Sequence, residues 1–394
     1  MSSRAARRRS GFLAAAIALI AAAGPACAGA TSPAQRGPFT AMTGAGPQAI
    51  VAGADGNLWF TEHMGNRIGR ITPRGVVTEF SLGPASGPGA FGIAAGPDGN
   101  LWFTGGSRGR IGRITPAGAI TRFSAGISAE GSPAGIVAGP DGNLWFTKYG
   151  AGRIGRITPA GVVTEFSGGI GGTTPGPIAA GPDGNVWFAV SSGSGDRIAR
   201  ITPTGTVTEF SAGITRDGGL SAITAGPDGN LWFTQMRDRI GRITPAGVVT
   251  EFRAGISRGS YPGGGANAGI TAGPDGNLWF TEFNRAGLAG NGIGRITPAG
   301  VVTEFSEGMS EGSAPNAIAA GPDGNLWFTE FDGSRIGRIT PAGVISEFPP
   351  TAAILAVRLR GGARSVAVRL RCPAGAAREC RGTLSMRLGP PAPA

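Results

Sequence analysis

Short apolar runs alternate with clusters of turn-forming residues along most of the chain, and the same pattern returns seven times. Residues 315–348 show it most clearly. An apolar run, Ala317 to Ala320, predicts a first strand. Pro-Asp-Gly-Asn then predicts a tight turn, in which aspartate bonds its own backbone and glycine supplies a positive φ. Leu-Trp-Phe-Thr predicts the second strand and Arg-Ile-Gly-Arg-Ile-Thr the third. A second turn, Thr-Pro-Ala-Gly, leads into a fourth strand of the Val-Val-Thr-Glu-Phe type. The tryptophan of the second strand recurs as Trp59, Trp102, Trp145, Trp187, Trp232, Trp279 and Trp327, at intervals of 42–48 residues. Four strands in each period of this length are the pattern of a propeller blade, which buries its faces only by stacking on its neighbours in a closed ring. The expected fold is all-β: a seven-bladed β-propeller of four-stranded blades over 47–350, with Trp and Phe of the second strand filling the space between blades.

Composition supports this reading once the repeat is seen. With 73 glycines and 30 prolines the chain would resemble a low-complexity polymer, but these residues fall periodically between apolar runs. The remaining segments differ in character. Residues 1–28 carry a basic start (Arg4, Arg7 to Arg9), an apolar stretch from Gly11 to Ala23 and a small-residue site at Ala26-Cys27-Ala28. That is the layout of a cleaved export signal, too short and alanine-rich for a membrane span. Arg8-Arg9-Ser10-Gly11-Phe12 also loosely fits a twin-arginine signal. Residues 29–46 form a linker in which Pro38 to Met42 resembles a fourth strand that could pair with blade seven. In the basic tail, 351–394, Val-Arg-Leu-Arg and Val-Ala-Val-Arg-Leu-Arg alternate with period two and predict an appended β-hairpin or the remnant of a module. Cys372 and Cys380 are close enough in the tail to form one disulfide in an exported protein.

Charge removes one class of partner. The formal net charge of +11 resides in the two ends, because residues 29–350 hold 23 basic and 23 acidic side chains. A nucleic-acid surface needs a basic excess that the body of the chain lacks. The expected protein is extracytoplasmic and monomeric, with a small molecule, peptide or glycan at the propeller mouth and no nucleic acid.

The motif Gly-Pro-Asp-Gly-Asn-Leu-Trp-Phe-Thr-Glu, followed by Asn-Arg-Ile-Gly-Arg-Ile-Thr-Pro-Ala-Gly-Val-Val-Thr-Glu-Phe, resembles the virginiamycin B lyase (streptogramin B lyase) family over 47–348. That resemblance implies a seven-bladed propeller that opens a cyclic depsipeptide antibiotic by Mg²⁺-dependent elimination at an ester C–O bond. The family places a histidine after a proline at the start of blade six and Glu-Pro-His at the start of blade seven. It adds a glutamate at the end of the blade-seven Trp-Phe run and a tyrosine opening blade one. Carried onto this chain, the blade-six histidine becomes Ala268, the Glu-Pro-His becomes Ala314-Pro315-Asn316, and the tyrosine becomes Gln48. The glutamate remains, as Glu330. A base is needed to remove the Cα proton and a metal to stabilise the enolate. The sole histidine, His63, lies elsewhere in the repeat, so the resemblance carries the fold and leaves the reaction without an evident base.

Other candidates follow from blade-to-blade comparison. Only blades one, six and seven end the second strand in glutamate, as Glu62, Glu282 and Glu330, which marks one sector as a divalent-cation (Mg²⁺) or cationic-ligand site. The competing reading makes them solvent-facing strand ends paired with arginines. His63 is either a base or metal ligand, or a solvated loop residue. Arg70 and its six equivalents occur in every blade and are read as structural partners of the Thr-Glu-Phe glutamates. The Asp of each Pro-Asp-Gly is read as turn chemistry. The positions two before the first-strand isoleucine sample the mouth: Gln48, Phe91, Ala134, Gly176, Ser221, Ala268 and Asn316. Their small or neutral character suits ligand binding better than acid–base chemistry.

Overall fold

The structure, a computed structural model, describes residue 42 and residues 46–348 apart from 84–88, 106–108, 172–173, 192–194, 217, 258–260, 264–268 and 284–290. It also describes the backbone of 353–358, 367–371 and 383–385. The described residues fall into two units, a ring within Arg36–Pro349 and a C-terminal sheet within Pro350–Ala394.

Seven antiparallel sheets make the ring, and each is built from one contiguous stretch of chain. Blade one comprises Pro47–Ala52, Leu58–Glu62, Arg67–Ile71 and Val77–Ser81, in spatial order. First strands touch first strands around the ring, including blade seven against blade one. In six of the blades the first strand carries a register shift, between Pro47 and Ile50 in blade one. In blade six that strand is split into Tyr261–Pro262 and Ile270–Ala272. Of the proposed closure strand only Met42 is described, packed against the cluster that joins blades one and seven, and the two tail cysteines lie outside the described residues. The tail sheet pairs Ala353–Arg358 with Ala367–Arg371 and that strand with Thr383–Ser385, a three-stranded meander where a hairpin is expected.

Strand alternation decides what each face buries. In blade one Leu58 and Phe60 face blade seven, in one cluster with Trp327 and Ile336. Trp59 faces blade two, with Ile93 and Phe103. All seven tryptophans are fully buried, as the expected inter-blade filling requires. In six blades the third-strand residue beneath the second-strand phenylalanine is glycine. A Cβ on Gly337 would lie 2.0 Å from the Phe328 ring.

The turn aspartates complete this packing. Asp55 accepts from the Trp59 indole Nε1 at 3.0 Å and from Asn57 Nδ2 at 2.8 Å. Burial pushes its carboxyl up, yet the bonds from Asn57 and Trp59 outweigh that and leave it below the ordinary value of 3.8. Arg70, expected to pair with the Thr-Glu-Phe glutamate, does something else. It lies over the Trp59 ring at 5.4 Å and the Phe80 ring at 5.6 Å, while Nη1 donates to the Pro116 carbonyl of blade two at 3.0 Å. The glutamate pairs instead with the first arginine of the third strand, Arg67 to Glu79 at 3.0 Å. Pleating explains the exchange: Arg67 and Glu79 share one face of the sheet, and Arg70 projects from the other.

Candidate functional site

Fourth strands run toward the same end of the ring from which first strands start, so that end carries the blade-to-blade loops and the opening of each innermost strand. Gln48, Ser221 and Asn316 lie there and are buried, with Phe91 half-buried. Their polar groups partly serve the ring itself. Asn316 Nδ2 donates to the Gln48 carbonyl at 3.2 Å, and Ser221 Oγ donates to the Pro262 carbonyl at 2.8 Å. Threonines of the second strand do likewise, as when Thr61 Oγ1 donates to the Phe91 carbonyl at 2.9 Å. The Gln48 side-chain oxygen has no hydrogen-bond partner.

Blade six splits its first strand around the position that corresponds to Asn316. Ala268 lies outside the described residues, but the pairing on either side of it is defined. Pro262 pairs with Glu282 as Pro315 pairs with Glu330, and Ile270 pairs with Phe280 as Ile318 does with Phe328. Gly263 follows the first-strand proline in blade six. It has φ +86°, and a Cβ there would lie 2.2 Å from Thr234 Oγ1. A Cβ on Gly269 would lie 2.1 Å from the Gly263 carbonyl oxygen, so the two glycines approach closely. Excess length in this segment is visible in the sequence; the point of divergence is not.

At the ends of the second strands, Glu62, Lys148, Val190, Gln235, Glu282 and Glu330 are all buried, against the solvent-facing alternative. Register pairs Pro47 with Glu62 and Glu62 with Arg67, placing the carboxyl on the Arg67–Glu79 face. Both Glu62 oxygens lack a hydrogen-bond partner. Burial, and then the Glu79 carboxylate, push its pKa to about 8 against the pull of Arg67. Glu330 is also raised to about 8, first by burial and next by Glu347. Its Oε2 accepts from Arg335 Nε at 3.0 Å, the arginine pairing that the sequence suggests, and its Oε1 has no partner. In blade three the same position is Lys148, which bonds Glu165 Oε1 at 2.9 Å and the Ser128 carbonyl at 2.7 Å. Arg335, Glu347 and Glu165 belong to repeated motifs, but that they meet the second-strand ends follows only from counting strand alternation.

These residues do not fit a divalent ion. Among the described residues no three His, Cys, Asp or Glu side chains are grouped to hold a metal. Glu330 is already charge-paired, with Arg335 Nε 3.0 Å from its Oε2. His63 is half-buried, standing edge-on to Phe91 with centroids 5.9 Å apart, and its Nδ1 is buried without a partner.

Comparison with known proteins agrees with this geometry. The model of the virginiamycin B lyase family matches residues 34–211 and 87–353. No curated protein matches the chain. A streptogramin B lyase structure superposes with TM-score 0.66 at 29% identity, over 78% of this chain and 96% of that one. Selenomethionine-substituted virginiamycin B lyase from Staphylococcus aureus gives 0.65 at 34% identity, over 75% and 94%. A catalytically inactive histidine-to-alanine variant of the Staphylococcus aureus enzyme, with quinupristin, gives 0.66 at 34% identity, over 76% and 97%. On the repeat, the ring and these matches, the chain belongs to the virginiamycin B lyase family.

Proposed function

We propose that this protein is an exported propeller that binds a ligand at its mouth without eliminating it. One observation carries the reading: at the blade-seven position where the family has histidine, Asn316 donates its amide to the Gln48 carbonyl. An amide takes up no proton near neutral pH, and this one is committed to holding two blades together. Blade six offers no substitute in the sequence, since Ala268 stands at the family's histidine position there. In the Staphylococcus aureus relative, a histidine-to-alanine variant is catalytically inactive and was solved with quinupristin. This chain likewise lacks histidine at the two family positions, where Ala268 and Asn316 stand. The uncharged surroundings, Gln48, Asn316, Ser221 and Phe91, favour a neutral ligand with hydrogen-bonding groups. Export rests on the composition of residues 1–28.

Incubation with quinupristin and Mg²⁺ tests the reading, with chromatographic retention followed by mass spectrometry because elimination leaves mass unchanged. Unchanged retention, with binding detected by calorimetry, is the expected result. Mg²⁺-dependent linearisation at enzyme-like rates would favour a lyase with an altered site. His63, whose Nδ1 is buried and unpartnered beside Glu62, would then be the base to examine.

A further inference from the structure

Blade two breaks a charge rule that most of the ring keeps. In blades one, three, four, five and seven the arginine that opens the third strand stands 3.0–4.0 Å from the fourth-strand glutamate. Register puts Arg110 of blade two where Arg67 stands in blade one, and Arg122 where Glu79 stands. Two arginines therefore share one face of the sheet, at positions whose side chains elsewhere meet as an ion pair. Both are exposed, and neither forms an ion pair among the described residues. Asp98 is the only acid between Glu79 and Glu130 in the sequence. All three are engaged with other arginines, Glu79 with Arg67 at 3.0 Å, Asp98 with Arg113 at 3.6 Å and Glu130 with Arg153 at 3.1 Å.

Two further features of blade two follow the same reversal. In blades three to seven a backbone N–H of the preceding loop donates to the fourth-strand glutamate, as Ser128 does to Glu165 at 3.0 Å. In blade two the direction is inverted: Arg122 Nη2 donates to the Leu82 carbonyl. That bond orients a guanidinium whose side chain is otherwise exposed. Space is left beside it as well. Second strands elsewhere end in side chains such as Glu62, Lys148 and Glu330, all fully buried, and Lys148 Nζ reaches Glu165 Oε1 at 2.9 Å. Blade two ends that strand in Gly105. Among the described residues, a Cβ there would meet only the Phe103 ring, at 3.7 Å.

We propose that blade two carries an oxyanion site on its outer strands, with Arg110 and Arg122 as its two arms beside the space over Gly105, and that the group it takes is a phosphate. A carboxylate satisfies one guanidinium fork with its two oxygens, as glutamate does in the other blades. Two forks call for more oxygens and more charge. A phosphate supplies both, with a charge of about −1.5 to −2 near pH 7 and at least three acceptor oxygens. The arginines lie on the third and fourth strands, apart from the innermost strand that bears Phe91. The inference therefore goes beyond the ligand reading at the mouth and is independent of it.

Thermal unfolding of the full chain in inorganic phosphate, against chloride at equal ionic strength, tests the site. A ligand that binds only the folded chain raises the transition temperature in a saturable way. The wild-type chain is expected to show a phosphate-specific rise with half-saturation on the order of 1 mM. Arg110→Gln is expected to weaken that affinity roughly tenfold or more. Arg122→Glu restores the ion pair of the other blades, so it is expected to raise the transition in chloride and to abolish the phosphate-specific rise. Arg74→Gln removes an exposed arginine from a turn at the opposite end of the ring and is expected to keep the full response. Tighter binding of glycerol 3-phosphate than of inorganic phosphate would identify an esterified phosphate as the source, and the reverse order a free ion. A wild-type response no larger than that of R110Q and R122E would overturn the proposal, as would its loss in R74Q.

Discussion

The Gln48 carbonyl of blade one accepts the Asn316 side-chain amide at 3.2 Å and the Thr329 hydroxyl at 3.2 Å, both from blade seven. Because the two donors share one acceptor, they compensate for each other. Asn316→Ala and Thr329→Val are each expected to cost about 1 kcal/mol. Together they leave a buried carbonyl unpaired, so the double variant should lose more than the sum, a coupling readable in a urea-unfolding cycle.

Asp323 offers a stricter test of the repeat. Its Oδ1 accepts from the Trp327 indole at 3.0 Å, and its Oδ2 accepts from Asn325 Nδ2 at 2.9 Å. Asp323→Ala strands a buried indole N–H and should lower unfolding free energy by about 1–3 kcal/mol. Asp323→Asn keeps an acceptor and should lose less. Equal losses would show that the indole bond contributes nothing.

Stability should fall between mildly acidic and mildly alkaline pH. Glu62 and Glu330 have folded pKa values of about 8, above the ordinary 4.5, so the folded chain holds two protons that the unfolded chain releases. No cost exists below 4.5; it grows as pH rises and levels off above 8, reaching about 5 kcal/mol per site. Glu62→Gln should flatten the decline seen in thermal melts from pH 5 to 9. An unchanged slope would contradict the burial argument.

Gly263→Ala should destabilise by about 1–3 kcal/mol, because its φ is +86° and its Cβ would meet Thr234 Oγ1 at 2.2 Å. Installing histidine at this position is expected to yield poorly folded protein and no quinupristin linearisation. Folded protein with lyase activity would reverse the conclusion about blade six.

Strand order, turns and tryptophan burial were legible because each is written seven times and depends only on local pattern. The partners of Arg70 and Arg67 were less legible. A charge pair suggests itself from sequence proximity, whereas pleating sends Arg70 toward Asp55 and Pro116 and leaves Glu79 to Arg67. Burial of Glu62 and Lys148 was not legible at all. Their enclosure comes from a neighbouring blade, as when Ser128 of blade two's loop closes over Lys148. Site residues fared likewise: Gln48 and Asn316 were identifiable as mouth positions, but not as each other's partners across the ring closure.

That closure also governs how the chain reaches its fold. Strand pairing within a blade joins residues near in sequence, whereas Thr329 meets Gln48 across 281 positions and Arg338 meets Pro73 across 265. Blade seven is therefore the keystone, and it is made last. An unfinished chain ending after blade six is an open arc with two bare apolar ends: Phe60 and Ile71 at one, Trp279 and Ile293 at the other. Each end is shaped to receive a blade, so premature chains are templates for joining one another, and only the complete chain silences both ends at once.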